Sequence, residues 1–448
     1  MRSCAGLIVT LAAIGCGDNF APTGSFEIVG HSELGYRGMN AAMAIAGDVA
    51  YIGSRIDNKP VLIVDIKDPA NPRVVGEIRD PEGLPGMSSR ELRATTDPPR
   101  LFILNLQCSP SLHGCQMAAG EVENVRQFDI STTLAPLVLG THPIAGLRFA
   151  TRSPHEFFLW QDPNDHTRIL ALVSAPGVPS LEILLAGDND PGLLLAYDPF
   201  TQGGVPSDLL NDILHSVSAS DDGRTLYLSH QTAGLFIADA SSVIDLAETP
   251  TLTMLTTADH AVKFGVMGPH SAVPVPGRKL LVTTEEVYPP PFGAGCPWGH
   301  MRMVDIANLA EPKLLGEYKL PENDPSCTAD GPMITFTAHN ATATENIALV
   351  TWYAGGLQAI DISDPNAPFQ LAEFRPEPLP GVAVEDPGLS GSKVEMWSYP
   401  VIKDGLIYVV DSRNGLYVLR YNGHRAEEIK QRRFLEGNSN LGAYLSRE

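Results

Sequence analysis

The chain has 448 residues, 44% of them hydrophobic, with 37 prolines, 41 glycines and a formal net charge of −21. That acid excess disfavours nucleic acid and anionic lipid surfaces, whose phosphates need a basic footprint. The proline and glycine content points to a turn-rich β protein, long enough to form one large closed unit.

At the N-terminus, Arg2 precedes an apolar stretch from Ala5 to Ile14, too short to span a bilayer and right for a signal h-region. It runs into Leu11-Ala12-Ala13-Ile14-Gly15-Cys16. Small residues before a cysteine resemble a bacterial lipobox, so residues 1–16 are expected to be a lipoprotein signal peptide with Cys16 as the lipidation site. An ordinary cleaved signal peptide is the alternative. Residues 17–25 read as a linker, and FEIVGHSEL at 26–34 as a strand.

From there a phrase repeats: VLIVDIKDPANPRVVGEI at 61–78, RMVDIANLAEPKLLGEY at 302–318 and LQAIDISDPNAPFQLAEF at 357–374. Looser copies lie at 125–140 and 234–255. Each is an apolar strand closed by an aspartate, then a turn, then a short outer strand. Asp65, Asp129, Asp239, Asp305 and Asp361 recur at those strand ends, where a carboxylate caps turn N–H groups. Strand-like units recurring at about 45–60 residues indicate a propeller or similar array. Aligned through these turns, residues 26–423 are predicted to form an all-β, seven-bladed β-propeller. The seventh blade lacks an outer strand at its C-terminal side, and FEIVGHSEL resembles RVVGEI and KLLGEY. The N-terminal strand is therefore expected to complete blade seven and close the ring. Residues 424–448 read as a charged tail, a short helix and a frayed end outside the ring.

Apart from Cys4 and Cys16, four cysteines remain, an even number that suits disulfides in an exported chain. Cys108 and Cys115 would close a local loop, leaving Cys296 and Cys327 to each other.

The V-D-I-x-D-P-x-x-P phrase resembles that of LVIVD-repeat proteins, which are bacterial secreted or surface propellers mostly without assigned activity. More distantly, the expected architecture is similar to selenium-binding proteins and methanethiol oxidases, in which histidines hold a metal. The resemblance implies the propeller, a cell-envelope location and, through the second link, a metal.

Four histidines share one position: His155, His215, His270 and His339 each open the inner strand of blades three to six. Inner strands line a propeller's channel, so these rings should converge near the axis. Neutral imidazoles suit copper, iron, zinc or nickel, whereas magnesium or calcium would want oxygens. Glu91 holds the corresponding place in blade two; blade one offers Met39 or Asn40, and blade seven Met396 or Trp397. Turns on the same face place His230, Glu285, Glu286, Tyr353, Asp411 and Arg55 near the rim. Glu91 could be a fifth ligand, a group that orients a histidine, or a general base, and Glu91 or Glu285 would assist catalysis. His113, His142, His166, His260 and His424 read as solvated loop residues, and His300 as structural. Two functions stay open. One is a metal-dependent enzyme acting on a small molecule. The other is a non-catalytic surface module that captures a protein, glycan or small ligand, with the membrane reached by the lipid anchor alone.

Overall fold

In a computed structural model, residues 23–79, 82–116, 122–144, 154–175, 180–187, 189–206, 213–288, 295–323, 334–389 and 391–442 are described. The described strands make seven antiparallel sheets. Blade I is Asn40–Ala46, Val49–Ser54, Val61–Asp65 and Arg73–Ile78, each strand paired with the next. Blades II to VI repeat this from Met87–Thr96 to Phe369–Phe374. Blade VII is Val401–Lys403, Leu406–Asp411 and Gly415–Asn422, and Ser25–Ser32 pairs with the last of these as its outer strand. The N-terminal strand thus closes the ring, as its sequence predicts.

Strand alternation explains why the blades stack. Side chains on successive positions point to opposite faces, and both faces of each blade meet a neighbour. Phe102, Leu104 and Val125 of blade II therefore pack against Phe157, Leu159 and Ile169 of blade III. Phe158, Leu170 and Leu172, on the other face of blade III, pack against Val217, Leu226 and Phe236 of blade IV. The core is a set of apolar layers between blades, with polar strand ends left for the axis.

The repeated aspartates do what turn chemistry requires. Asp65 Oδ1 accepts Lys67 N–H at 3.0 Å, Asp129 accepts Ser131 N–H at 2.7 Å, and Asp239, Asp305 and Asp361 each accept the N–H two residues on at 2.8 Å. The turn that follows docks on the preceding blade. Gly316, in the outer strand of blade V, donates its N–H to Pro365 O of blade VI's turn at 2.9 Å. A Cβ there would lie 2.5 Å from Asn366 O, and one at Gly30 would meet Pro69 O of blade I's turn. Glycine in the outer strand is thus the socket for the next blade's turn. Gly316→Ala should cost ~1–3 kcal/mol of stability through overpacking, whereas Gly381→Ala, with open space around it, should be near neutral. Denaturant midpoints of the two variants check this, and equal effects would contradict it.

The C-terminal segment departs from expectation. The helix is present, at Ala426–Lys430, but the chain then enters the ring. Phe434–Glu436 pairs with the inner edge of blade VII as a fifth strand. Asn438 O accepts Leu159 N–H at 3.1 Å, and Asn440 bonds Gln161 N, Gln161 O and Asp221 O at 2.8–3.0 Å. Residues 436–442 are buried across the far end of the channel. The Asn440 side chain and the Asn438 carbonyl satisfy inner-strand backbone groups there, which the run GNSNLG does not advertise. Residues 443–448 lie outside the described residues, as does the proposed leader with Cys16.

Candidate metal centre at the channel mouth

One device sets the position of five channel-side residues. A hydroxyl from one blade holds the carbonyl of the ring residue in the next: Ser174 Oγ donates to His215 O at 2.7 Å, and Ser216 Oγ to His270 O at 2.7 Å. Thr284 holds His339 O in the same way, Thr351 Oγ1 donates to Trp397 O at 3.0 Å, and Ser412 Oγ to Asn40 O at 2.9 Å. The backbone of these residues is thereby pinned, and their side chains project into the mouth.

The four imidazoles form an arc. Ring centroids of His155 and His215, His215 and His270, and His270 and His339 are each 4.1 Å apart. Trp397 continues the arc from blade VII, 5.5 Å from His339. Blade II contributes Arg90, not Glu91. A β-bulge between Ser89 and Glu91 inserts one residue there, and such bulges re-aim a side chain. His215 sits in the same kind of bulge, between Leu214 and Ser216. The Arg90 guanidinium lies over the Trp397 ring at 5.3 Å, and that of Arg55 at 5.0 Å.

The Glu286 carboxylate faces the arc. Its Oε1 is 3.2 Å from His339 Nε2, and its Oε2 is 3.6 Å from His270 Nε2 and 3.9 Å from His215 Nε2. Tyr353 donates to Glu286 Oε1 at 2.7 Å, Tyr288 to Tyr353 at 2.7 Å, and Arg55 Nη2 to Tyr288 at 3.4 Å. This chain orients the carboxylate from behind. Arg55 is in turn paired with Asp386 at 3.7 Å. Burial alone would raise Glu286, but the His339, His270 and His215 rings outweigh it and hold the group well below the usual carboxylate range. Burial pushes His215 down to about 4 and, with neighbouring charged groups, holds His155 and His270 well below the usual histidine range. An anionic Glu286 carboxylate thus stands beside His155, His215 and His270, which burial keeps neutral at neutral pH.

The donor set fits a metal ion. Bonds of ~2.0–2.1 Å place tetrahedral donors about 3.4 Å apart, comparable to the 3.2 and 3.6 Å separations around Glu286. His339 Nδ1–H donates to Trp397 O at 2.6 Å, a bond that fixes the tautomer of a ligand imidazole. Its Nε2 has no hydrogen-bond partner, and neither does either nitrogen of His270. His270, Glu286 and His339 form one group able to hold an ion; Glu156, His215 and His270 form another. His155 belongs to neither.

The remaining candidates lie elsewhere. Glu285 is occupied by Val266 N at 2.6 Å, Met267 N at 2.9 Å and Arg302 at 3.2 Å. Glu91 pairs with Arg93 at 3.0 Å, deeper in the channel. Asp411 caps its turn through Glu395, Arg413 and Asn414 N–H groups. His113 is buried, not solvated, with Nδ1 3.3 Å from Asp386. His142 is likewise partly buried against Glu182 at 3.1 Å. Cys108 and Cys115 stand in disulfide position with Cα atoms 5.8 Å apart, while Cys327 lies outside the described residues. Arg90, Tyr288 and Glu156 belong to the site without having stood out in the sequence.

His230 sits in an aromatic box with Phe200 at 5.4 Å and Phe236 at 5.7 Å, and neither ring nitrogen has a partner. Burial pushes it down to about 3. An imidazole with an ordinary value near 6.5 when unfolded favours the unfolded chain once protonated. Its contribution to stability is therefore complete above that value and lost as pH falls toward 3. His230→Phe should remove a slope of ~1.4 kcal/mol per pH unit across this window. Parallel stability–pH curves for variant and wild type would contradict it.

These features define a seven-bladed β-propeller with a histidine–carboxylate cluster, able to hold a metal ion, at its axial mouth. The chain carries an LVIVD repeat: the profile of that repeat matches residues 37–80, the heart of blade I. No curated protein matches the chain. Among solved structures it is similar to the β-propeller domain of Cps50 (Swd1) from Myceliophteria thermophila. The TM-score is 0.51 at 11% identity, covering 88% of this chain and 99% of that one. That likeness shows the fold alone.

Proposed function

We propose that this chain is an exported, lipid-anchored propeller that binds a transition-metal ion (copper, iron or zinc) at its mouth and acts there on a small substrate. The observation that carries the metal is the bare His339 Nε2, 3.2 Å from an ionised Glu286 oxygen while the ring's Nδ1–H is engaged by Trp397 O. A ring nitrogen and an anionic oxygen face each other there, an arrangement that a cation stabilises. His270, His339 and Glu286 are the ligands, and His215 stands beside them. A bound ion of this class supplies Lewis-acid or redox chemistry. The chain's own residues supply the rest. Tyr353 holds the carboxylate, and Arg90 puts positive charge at the rim for an anionic group. The C-terminal segment lies across the far end, and a substrate approaches from the mouth.

Full-length protein loaded with Co(II) should show visible d–d bands that change in Glu286→Gln. A spectrum indistinguishable from aqueous cobalt would overturn the metal reading. The alternative, a non-catalytic capture module, draws support from exposed Leu137 and Val138 on blade II's outer strand and Leu193 on blade III's. The anchor reading rests on residues 11–16; no helix among the described residues is long and apolar enough to cross a membrane. Cys16→Ser should abolish partition into a detergent phase.

A further inference from the structure

We infer that the mouth holds a second cation position, formed by Glu156, His215 and His270, so that two transition-metal ions bind in adjacent places. One oxygen of Glu156 and one nitrogen each of His215 and His270 lie within 4.8 Å of one another, and all three residues are buried. Glu156 opens the inner strand Glu156–Gln161 of blade III, next to His155 in sequence. Its Oε2 accepts only a long bond from Tyr399 O–H, at 3.4 Å.

The ring nitrogens decide between packing and ligation. A buried histidine ordinarily gives its N–H to an acceptor and keeps one free nitrogen, as His339 does with Trp397 O. Both nitrogens of His270 and Nε2 of His339 have no hydrogen-bond partner, whereas His215 meets the His270 backbone. Bare buried polar atoms cost ~1–3 kcal/mol each, and native folds rarely leave three together. His270 Nε2 faces Glu286 at 3.6 Å, and the ring's second nitrogen is bare as well. One ring can thus serve an ion on each side once its N–H proton is released to solvent and it becomes imidazolate. The two carboxylates, Glu286 and Glu156, give each position an oxygen donor. Mixed nitrogen and carboxylate donors suit zinc, copper, iron or nickel.

The inference rests on the mouth being a metal centre, because His270 is common to both groups. Zn(II) titration of the full-length chain against a chelating indicator separates the two. The expected result is two equivalents in wild type, and one each in Glu156→Gln and Glu286→Gln. One equivalent in wild type, kept in Glu156→Gln and lost in Glu286→Gln, overturns the second position and leaves the first. No binding in wild type overturns both. Cu(II) loading gives an independent measurement, since two ions sharing one imidazole couple magnetically. The doubly integrated EPR signal of wild type should fall below its copper content and recover full intensity per copper in Glu156→Gln. Full intensity in wild type at two equivalents would overturn the shared ring.

Discussion

His270→Ala should abolish the stabilisation that Zn(II) gives the wild-type protein. His270 is the middle ring of the arc, 4.1 Å from His215 on one side and His339 on the other, and it faces Glu286. Groups that only orient a ligand typically cost ~10–100-fold in metal affinity when removed, and a ligand itself should cost more. The apo protein should tolerate the change, since neither nitrogen of His270 has a hydrogen bond to lose. A ligand bound only by the folded state stabilises it by ~2.7 kcal/mol at one hundred times its dissociation constant. Wild type should therefore melt well above its metal-free form, and His270→Ala should melt at nearly the same temperature with and without zinc. A variant that still gains stability on zinc addition would show that the ion sits elsewhere.

Trp397→Ala should be among the most destabilising single changes in the ring. The indole is 1% exposed and its Nε1–H donates to Ser412 Oγ at 2.7 Å. Ser412 in turn holds Asn40 O, so the contact joins blade VII to blade I. Burying and then deleting such a ring costs ~3–5 kcal/mol. Two guanidiniums, Arg55 and Arg90, lose the face they cover, each contact adding ~0.5–2 kcal/mol. The carbonyl that holds His339 Nδ1 is backbone and survives the substitution, so metal binding should weaken far less than in His270→Ala. Denaturant unfolding measures the first effect and zinc affinity the second. A loss of stability below ~1 kcal/mol would contradict the placement of Trp397 as a ring-closing side chain.

The two results would separate what the ring needs to fold from what its mouth does. Much of this division is written in the sequence. Aspartate-closed strands and their turns repeat at a regular interval, and turn chemistry is local, so blade number and the closing role of residues 26–34 are legible there. The convergence of His155, His215, His270 and His339 follows from their common place at the start of inner strands.

What was not legible depends on single-residue geometry. Glu285 and Glu286 are neighbours, and on an extended chain neighbours point to opposite sides. A count one residue off exchanges the group that meets the histidines for one tied to Arg302. Arg90 replaces Glu91 in the ring because a bulge adds one residue to blade II, and bulges carry no reliable sequence mark. A better signal lay in the Ser and Thr residues, such as Ser174 and Thr351, whose hydroxyls register each ring residue against the next blade. The C-terminal plug was hidden for a different reason. Asn438, Ser439 and Asn440 look like an exposed turn, and become buried only because the far end of the channel offers backbone partners.

The most direct measurement is elemental analysis of the full-length protein as isolated, beside Glu286→Gln. The account predicts copper, iron or zinc near integer equivalents in wild type, with a clear loss in the variant while its circular dichroism stays unchanged. Metal-free wild-type protein that also fails to take up any of these ions on loading would contradict it and return the histidines to packing.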